Sequence, residues 1–187
     1  MNLDQLFSSI PTFETDRLRL RAITEADWEG INEIYSDPDV GRYNCWVGTD
    51  GEADAKAKIA GFDADYANRL RARWGICLKE TDELIGDCAF VVLDNRCDKA
   101  EIGYNLVKAQ WQLGYTAEAL RPMLEYGFDQ IGMNRIEALV QHENIASRKL
   151  LEKLHFIEEA TVRRGGKVNG EYRDMLLISL LKSEYLR

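Results

Sequence analysis

Histidine is almost missing from the 187 residues: only His142 and His155 occur, and neither stands at metal-ligand spacing. The four cysteines, Cys45, Cys77, Cys88 and Cys97, include no C-x-x-C pair. A zinc enzyme is therefore excluded, no metal ligands are assigned, and reduced thiols are expected. Proline is scarce too. Pro11, Pro38 and Pro122 are scattered, and no linker, repeat or low-complexity tract divides the chain, so residues 1–187 read as one domain. Long apolar runs are also lacking; the longest, at 175–181, is far too short to cross a bilayer, and no membrane partner is expected. The opening MNLDQLFSSIPTFETD has no basic region followed by an apolar stretch, so a cytoplasmic location is expected rather than secretion. Positive charge is in deficit, since 24 basic against 32 acidic side chains leave −8. That balance disfavours DNA or RNA as the main ligand and suits a cationic partner such as an amine. Neither G-x-x-x-x-G-K nor G-x-G-x-x-G occurs, which removes the P-loop and the dinucleotide fingerprint.

What is present patterns a mixed sheet covered by helices on both faces. RLRLRA at 17–22 alternates strictly, as a strand with one solvated face does. Thr24 with Asp27 reads as a helix start, followed by Trp28, Ile31, Ile34 and Tyr35 at helical spacing and stopped by Asp37-Pro38. A second helix is predicted over 52–70. Strands at 73–79, 84–93 and 99–107, joined by short polar turns, predict an antiparallel meander. A helix over 116–131 contains Pro122, which predicts a kink or a late start, with Gly132 as its cap. Then come a strand at 135–141, a helix N-capped by Asn144, and strands at 156–163 and 171–181 joined by the turn-rich RRGGKVNG.

The stretch 99–119, KAEIGYNLVKAQWQLGYTAEA, holds the strongest chemical pointer. A strand gives way to a glycine-containing loop and then to a helix starting near Thr116. Free N–H groups and the positive end of the helix dipole at that point suit a phosphate or pyrophosphate, and Gly114 lets the backbone approach it. An ordinary turn is the plainer reading of the same residues.

The strings EIGYNL…WQLGYTAEAL and NRIEALVQHENIASRKLLEKLHF resemble the acetyl-CoA-binding half of the GNAT superfamily of N-acetyltransferases. The closest branch is that of ribosomal-protein N-terminal acetyltransferases and their small-molecule-acting relatives. TDRLRLRAITEADW and NGEYRDMLLISLLKSEY resemble the same branch, so the likeness runs over about 15–185. It implies an α/β GNAT-like fold with a central mixed sheet of about seven strands. It also implies acetyl-CoA as co-substrate, with direct transfer to a primary amine in a ternary complex. The acceptor is either a protein N-terminus or a small molecule, and the protein a monomer or homodimer.

Carried over residue by residue, the pyrophosphate loop is Trp111-Gln112-Leu113-Gly114-Tyr115-Thr116, followed by Ala117. The branch often has glycine at the position of Gln112 and Gly or Ala at that of Thr116. The strand end at Asn105, Leu106 and Val107 is expected to pair with the pantetheine and polarise the acetyl carbonyl. Asn144 and Ser147 match the branch's Asn-x-x-Ser, as cofactor contacts or as cap and surface residue. Relatives outside the branch carry a tyrosine acid at the position of Leu151, so Ser147 becomes the expected donor to the sulfur. Glu101 is the first choice of base and His142 the second, a solvent-facing carboxylate being the plainer role of the former. Tyr43 and Trp46 are candidate walls of the acceptor pocket, and Glu171, Tyr172 and Asp174 candidate receivers of a cation. Arg163 and Arg164 read as solubilising the hairpin, and Lys149 and Lys153 as able to approach phosphates. His155, in place of glycine before Phe156, reads as a turn residue. The departures at Gln112, Thr116 and Leu151 keep a second reading in view, a GNAT-like protein that binds acyl-CoA without catalysis.

Overall fold

The computed structural model describes residues 1–44, 47–168 and 170–185. A short helix α1 (Leu3–Leu6) and a two-residue strand β1 (Phe13–Glu14) lead into β2 (Leu18–Arg21), which buries Leu18 and Leu20 and leaves its arginines half-exposed. Thr24 and Asp27 form the reciprocal capping box that the spacing predicts. They open a 3-10 turn that runs into α2 (Trp28–Ser36). Pro38, unable to continue that helix, instead takes the first position of α3 (Pro38–Gly41), where its missing N–H is no loss. Next is α4 (Glu52–Ala67), packed on α2.

The meander follows as predicted: β3 (Ala72–Leu78), β4 (Leu84–Asp94) and β5 (Lys99–Leu106), all antiparallel. Helix α5 (Tyr115–Glu125) does not start late. It accommodates Pro122 and relaxes downstream into a π turn at Tyr126–Gln130, in which Ile131 N–H donates to the Tyr126 carbonyl at 3.0 Å. Gly132, at φ +77°, ends it as expected, and the Met133 N–H closes on the Gly127 carbonyl at 2.9 Å. Strand β6 (Arg135–Gln141), helix α6 (Ile145–Lys153), strands β7 (Ile157–Val168) and β8 (Glu171–Leu181) and a final turn of helix α7 (Lys182–Tyr185) complete the chain.

The sheet order is β1-β2-β3-β4-β5-β6-β8-β7, eight strands where about seven were expected. The extra one is β1, too short to show any alternation. The hairpin also differs from its reading as a long turn. A bulge between Val162 and Gly166 absorbs Arg164, at φ +53°, so β7 runs on to Val168. The largest fully buried side chains, among them Trp74, Phe90, Phe128 and Ile31, fill the space between sheet and helices. Trp74 meets Phe90 edge to face at 5.8 Å. Strand alternation sorts the faces: Asn105 and its cross-strand partner Asp87 lie on the face under Tyr35 of α2, and Tyr104 lies on the opposite face beside α6.

Candidate active site

Among the described residues the single parallel strand pair is β5 with β6, and it is short. Lys99, Ala100 and Glu101 pair with Arg135, Ile136 and Glu137, and beyond Glu101 the two strands no longer pair. A cleft of about 740 Å³ opens there, lined by 102–106 of β5, 138–141 of β6 and the first turns of α5 and α6. Val107 N–H donates to the Ile85 carbonyl at 2.9 Å. Antiparallel alternation therefore turns the main chain of Asn105 toward β4 as well, and turns that of Tyr104 and Leu106 outward into the cleft. The Leu106 carbonyl is taken by the Trp111 indole N–H at 2.8 Å. Its N–H faces the cleft.

At the other wall the chain makes a left-handed step at Gln112 (φ +64°) and again at Gly114 (φ +83°), and α5 begins at Tyr115. Main-chain N–H groups at 112–117 find no hydrogen-bond partner among the described residues; the first helical bond is Glu118 N–H to the Gly114 carbonyl at 3.1 Å. Free donors at a helix N-terminus beside Lys149 and Lys153, which also line the cleft, fit a pyrophosphate. Arg17 braces this loop from behind. Its guanidinium donates to the Leu113 carbonyl at 3.1 Å, pairs with Glu118 at 2.6 Å and lies 4.2 Å from the Tyr115 ring centre. Glu118, also bonded to Thr15, is held below the ordinary carboxylate range: these hydrogen bonds outweigh the burial that alone would raise it.

Asn144 caps α6 by accepting from the Ser147 N–H at 3.1 Å. Also lining the cleft, Tyr104 and Ser147 share a 2.6 Å hydroxyl–hydroxyl hydrogen bond. Burial pushes the Tyr104 phenol up to about 12, against the opposing pull of the Ser147 bond. Leu151, where the tyrosine acid of other relatives stands, is wholly buried in the core. On the far face of β5 the Asn105 side chain lines the cleft and is fixed from two sides. Its Nδ2 donates to the buried Asp87 at 3.3 Å, and its Oδ1 accepts from Asn44 at 3.1 Å. Asp87 is in turn held by Tyr35 at 3.0 Å and by an ion pair with Arg73. Residues 43 and 44 thereby bridge the two splayed strands, because Gln141 of β6 donates to the Tyr43 carbonyl at 3.0 Å.

Of the residues singled out in the sequence, Asn105, Leu106, Gln112, Gly114, Tyr115, Thr116, Ala117, Asn144, Ser147 and Tyr43 line this one cleft. Others do not. Val107 is buried with its N–H taken by Ile85, and Leu113 is exposed outside the cleft. Glu101 sits at the last paired position of β5, opposite Glu137 and short of the splay, so it does not reach the cleft. Its carboxyl is raised by burial and by Glu137. His142 turns to Thr161 of β7 at 3.4 Å. Glu171 pairs with Arg173, and Asp174 accepts from the Arg164 N–H at 2.8 Å. Both stay outside the cleft: β8 starts at Glu171 as expected, and β7 runs on through most of the expected turn to Val168. Trp46 lies outside the described residues. His155 takes φ +65° just after α6, the turn role expected of it. Tyr104, Asn44 and Gln141 carry no site reading in the sequence, and Arg17 reads there only as a solvated arginine of its strand; each depends on a contact between segments far apart in the chain.

With that geometry in hand, the likenesses to known proteins agree. Residues 17–157 match the model of the acetyltransferase (GNAT) domain. The chain is 37% identical over 174 residues, 93% of it and 98% of the relative, to p20 of Bacillus licheniformis, named an uncharacterized N-acetyltransferase. It is similar in structure to a GNAT-family acetyltransferase from Bacillus anthracis, with a TM-score of 0.81, 26% identity and coverage of 93% and 100% of the two chains. The Mycobacterium smegmatis RimJ structure, a complex with CoA-disulfide, shares the fold at a TM-score of 0.82 and 24% identity, over 91% and 84% of the chains. Cleft, cradle and splayed strands thus stand on an acetyltransferase scaffold, and the chain belongs to the GNAT family.

Proposed function

We propose that the cleft between β5 and β6 binds acetyl-CoA and that the protein transfers the acetyl group to a primary amine. The observation that carries this reading is the convergence of two sets of unpaired main-chain donors on one cleft: those at 112–117 and the outward edge of β5. The first set, with Lys149 and Lys153, holds the pyrophosphate. The second, at Tyr104 and Leu106, lies along the pantetheine and offers the Leu106 N–H to a developing oxyanion. Bound acetyl-CoA supplies a thioester carbon open to nucleophilic attack. Ser147, capped in place by Asn144, donates a hydrogen bond toward the departing sulfur. Asn44, Tyr43 and Gln141 form the far wall, where the acceptor nitrogen enters.

Among the described residues the cleft's carboxylate is Asp39, which is tied to Lys108 at 2.5 Å and held below its ordinary range by that bond. With no free base among the described residues at the reacting end, the acceptor loses its proton to water, and alignment of the two reactants supplies much of the rate. Both a protein N-terminus and a small amine meet these requirements. Calorimetric titration with acetyl-CoA tests the reading, with Gly114→Trp as the blocked control. Gly114 already lies at φ +83° in the cradle, and a side chain added there would start 3.7 Å from the Arg17 guanidinium, so a bulky one both strains the loop and displaces its brace. Binding in the micromolar range that the variant loses, followed by amine-dependent thiol release, is the expected outcome. Absence of binding by the unaltered protein would refute it.

A further inference from the structure

We infer that Tyr104 is a positioning residue for acetyl transfer: its hydroxyl donates to Ser147 Oγ and so turns the Ser147 proton into the cleft, toward the sulfur. The inference rests on the proposed acetyl-CoA reading and deepens it.

Three features of the site support it. First, the bond is short, at 2.6 Å, and joins β5 to α6 across the cleft that both residues line. Second, neither hydroxyl has another hydrogen-bond partner among the described residues; Ser147 Oγ does not fold back onto a carbonyl of the preceding turn, as a helical serine often does. Two hydroxyls that share one bond use one proton in it and leave the other free. A phenol is much more acidic than an alkyl hydroxyl, so Tyr104 is the donor and the Ser147 proton is the free one. Third, burial keeps the Tyr104 phenol protonated well above neutral pH, so the donor is present throughout the working range. A hydroxyl that accepts a hydrogen bond is itself polarised into a better donor.

The same features set the limits of the role. With its proton held so tightly Tyr104 orients Ser147 and does not itself protonate the leaving group. In the step, the acceptor nitrogen forms the C–N bond at the thioester carbon, the carbonyl oxygen takes up charge at the Leu106 N–H, and the C–S bond breaks as that oxyanion collapses. The electron pair leaves on sulfur, stabilised there by the Ser147 hydrogen bond, and a proton shed by the amine returns to that sulfur through water. Nothing is oxidised or reduced. Leu151 is wholly buried and carries no hydroxyl, which leaves the serine–tyrosine couple as the hydroxyl pair between β5 and α6 at this end of the cleft.

Tyr104→Phe keeps the ring and removes only the hydroxyl. Two measurements test the role. In calorimetry, CoA is compared with desulfo-CoA, which lacks only the sulfur. The unaltered protein should prefer CoA by about three- to ten-fold, the worth of one hydrogen bond, and Tyr104→Phe should shrink that preference while leaving desulfo-CoA affinity unchanged. In turnover with an accepted amine, Tyr104→Phe should lower kcat by about ten-fold with the KM for acetyl-CoA preserved. Ser147→Ala should do the same, and the double variant should be no slower than the slower single one, because the two act as one unit. An unchanged CoA preference, equal loss of both ligands, an unaltered kcat or multiplicative effects in the double variant would each overturn the inference. Binding with the expected preference but no turnover by any amine would refute transfer while leaving the hydroxyl pair facing the sulfur. No binding of either ligand would remove the cofactor site and the inference with it.

Discussion

Gln112 holds φ +64° without being glycine, beside Gly114 at φ +83° in the same turn. For a residue with a Cβ that conformation costs about 1–2 kcal/mol. The Gln112 side chain makes no hydrogen bond among the described residues that would offset it. The left-handed backbone gives a physical reason for the glycine that the family resemblance leads one to expect here. Gln112→Gly is therefore expected to stabilise the protein by about 1 kcal/mol, after allowing for the extra freedom of glycine in the unfolded chain. Thermal denaturation should show a rise of about 2–4 °C. A fall in Tm would mean that the side chain contributes to the folded state through some other contact.

At the scale of elements, the loop before α5 is shaped by β2. Arg17, just ahead of that strand, reads in the sequence as one of three arginines on a solvated face, and Arg19 and Arg21 do take that role with Glu14, Asp27 and Asp82. Arg17 instead reaches 96 positions along the chain to the Leu113 carbonyl and holds it back, which leaves the neighbouring N–H groups pointing to the cleft. Arg17→Ala is expected to raise the KM for acetyl-CoA about three- to ten-fold with kcat little changed, the pattern of lost ground-state binding. Steady-state kinetics over acetyl-CoA concentration check this, and a drop in kcat at constant KM would show that the brace acts on the chemistry instead. The contrast explains what was legible. The cradle could be read because glycine, loop and helix start lie within a few residues of each other. The pairs Tyr104–Ser147 and Arg17–Leu113 could not, because only the folded sheet brings together residues 43 and 96 positions apart. Helix starts at Thr24 and Asn144 were readable for the same local reason, whereas the course of β7 past Arg164 depends on a bulge whose register is set by β8. Glu101 and His142 stand out in the sequence by residue type and strand end, and type says nothing about which side of the splay a residue occupies.

Across the whole molecule, the acidic balance is organised as pairs rather than left as bare repulsion. Glu14, Asp27 and Glu118 each accept from an arginine or a lysine, and each is held below its ordinary range. Glu159 is the extreme case. Two bonds from Arg135 and one from Ser179 tie β6, β7 and β8 together and bring its carboxyl from 4.5 down to about 2. A carboxylate whose folded value is depressed stabilises the fold above its unfolded value, and that contribution is lost as pH falls through the folded one. Glu101 works in the opposite sense, since its raised carboxyl weakens the fold once ionised, but it is outnumbered. The Tm should therefore hold steady from neutrality to about pH 5 and fall between about pH 4.5 and 2. Glu159→Gln, which cannot ionise, should begin with a lower Tm at neutral pH and lose less of it over that acid window. Both proteins are compared by thermal melts at constant ionic strength, because exposed pairs are screened by salt. Parallel curves for the two would show that the Arg135–Glu159–Ser179 cluster, for all its hydrogen bonds, adds nothing to the acid stability of the sheet edge.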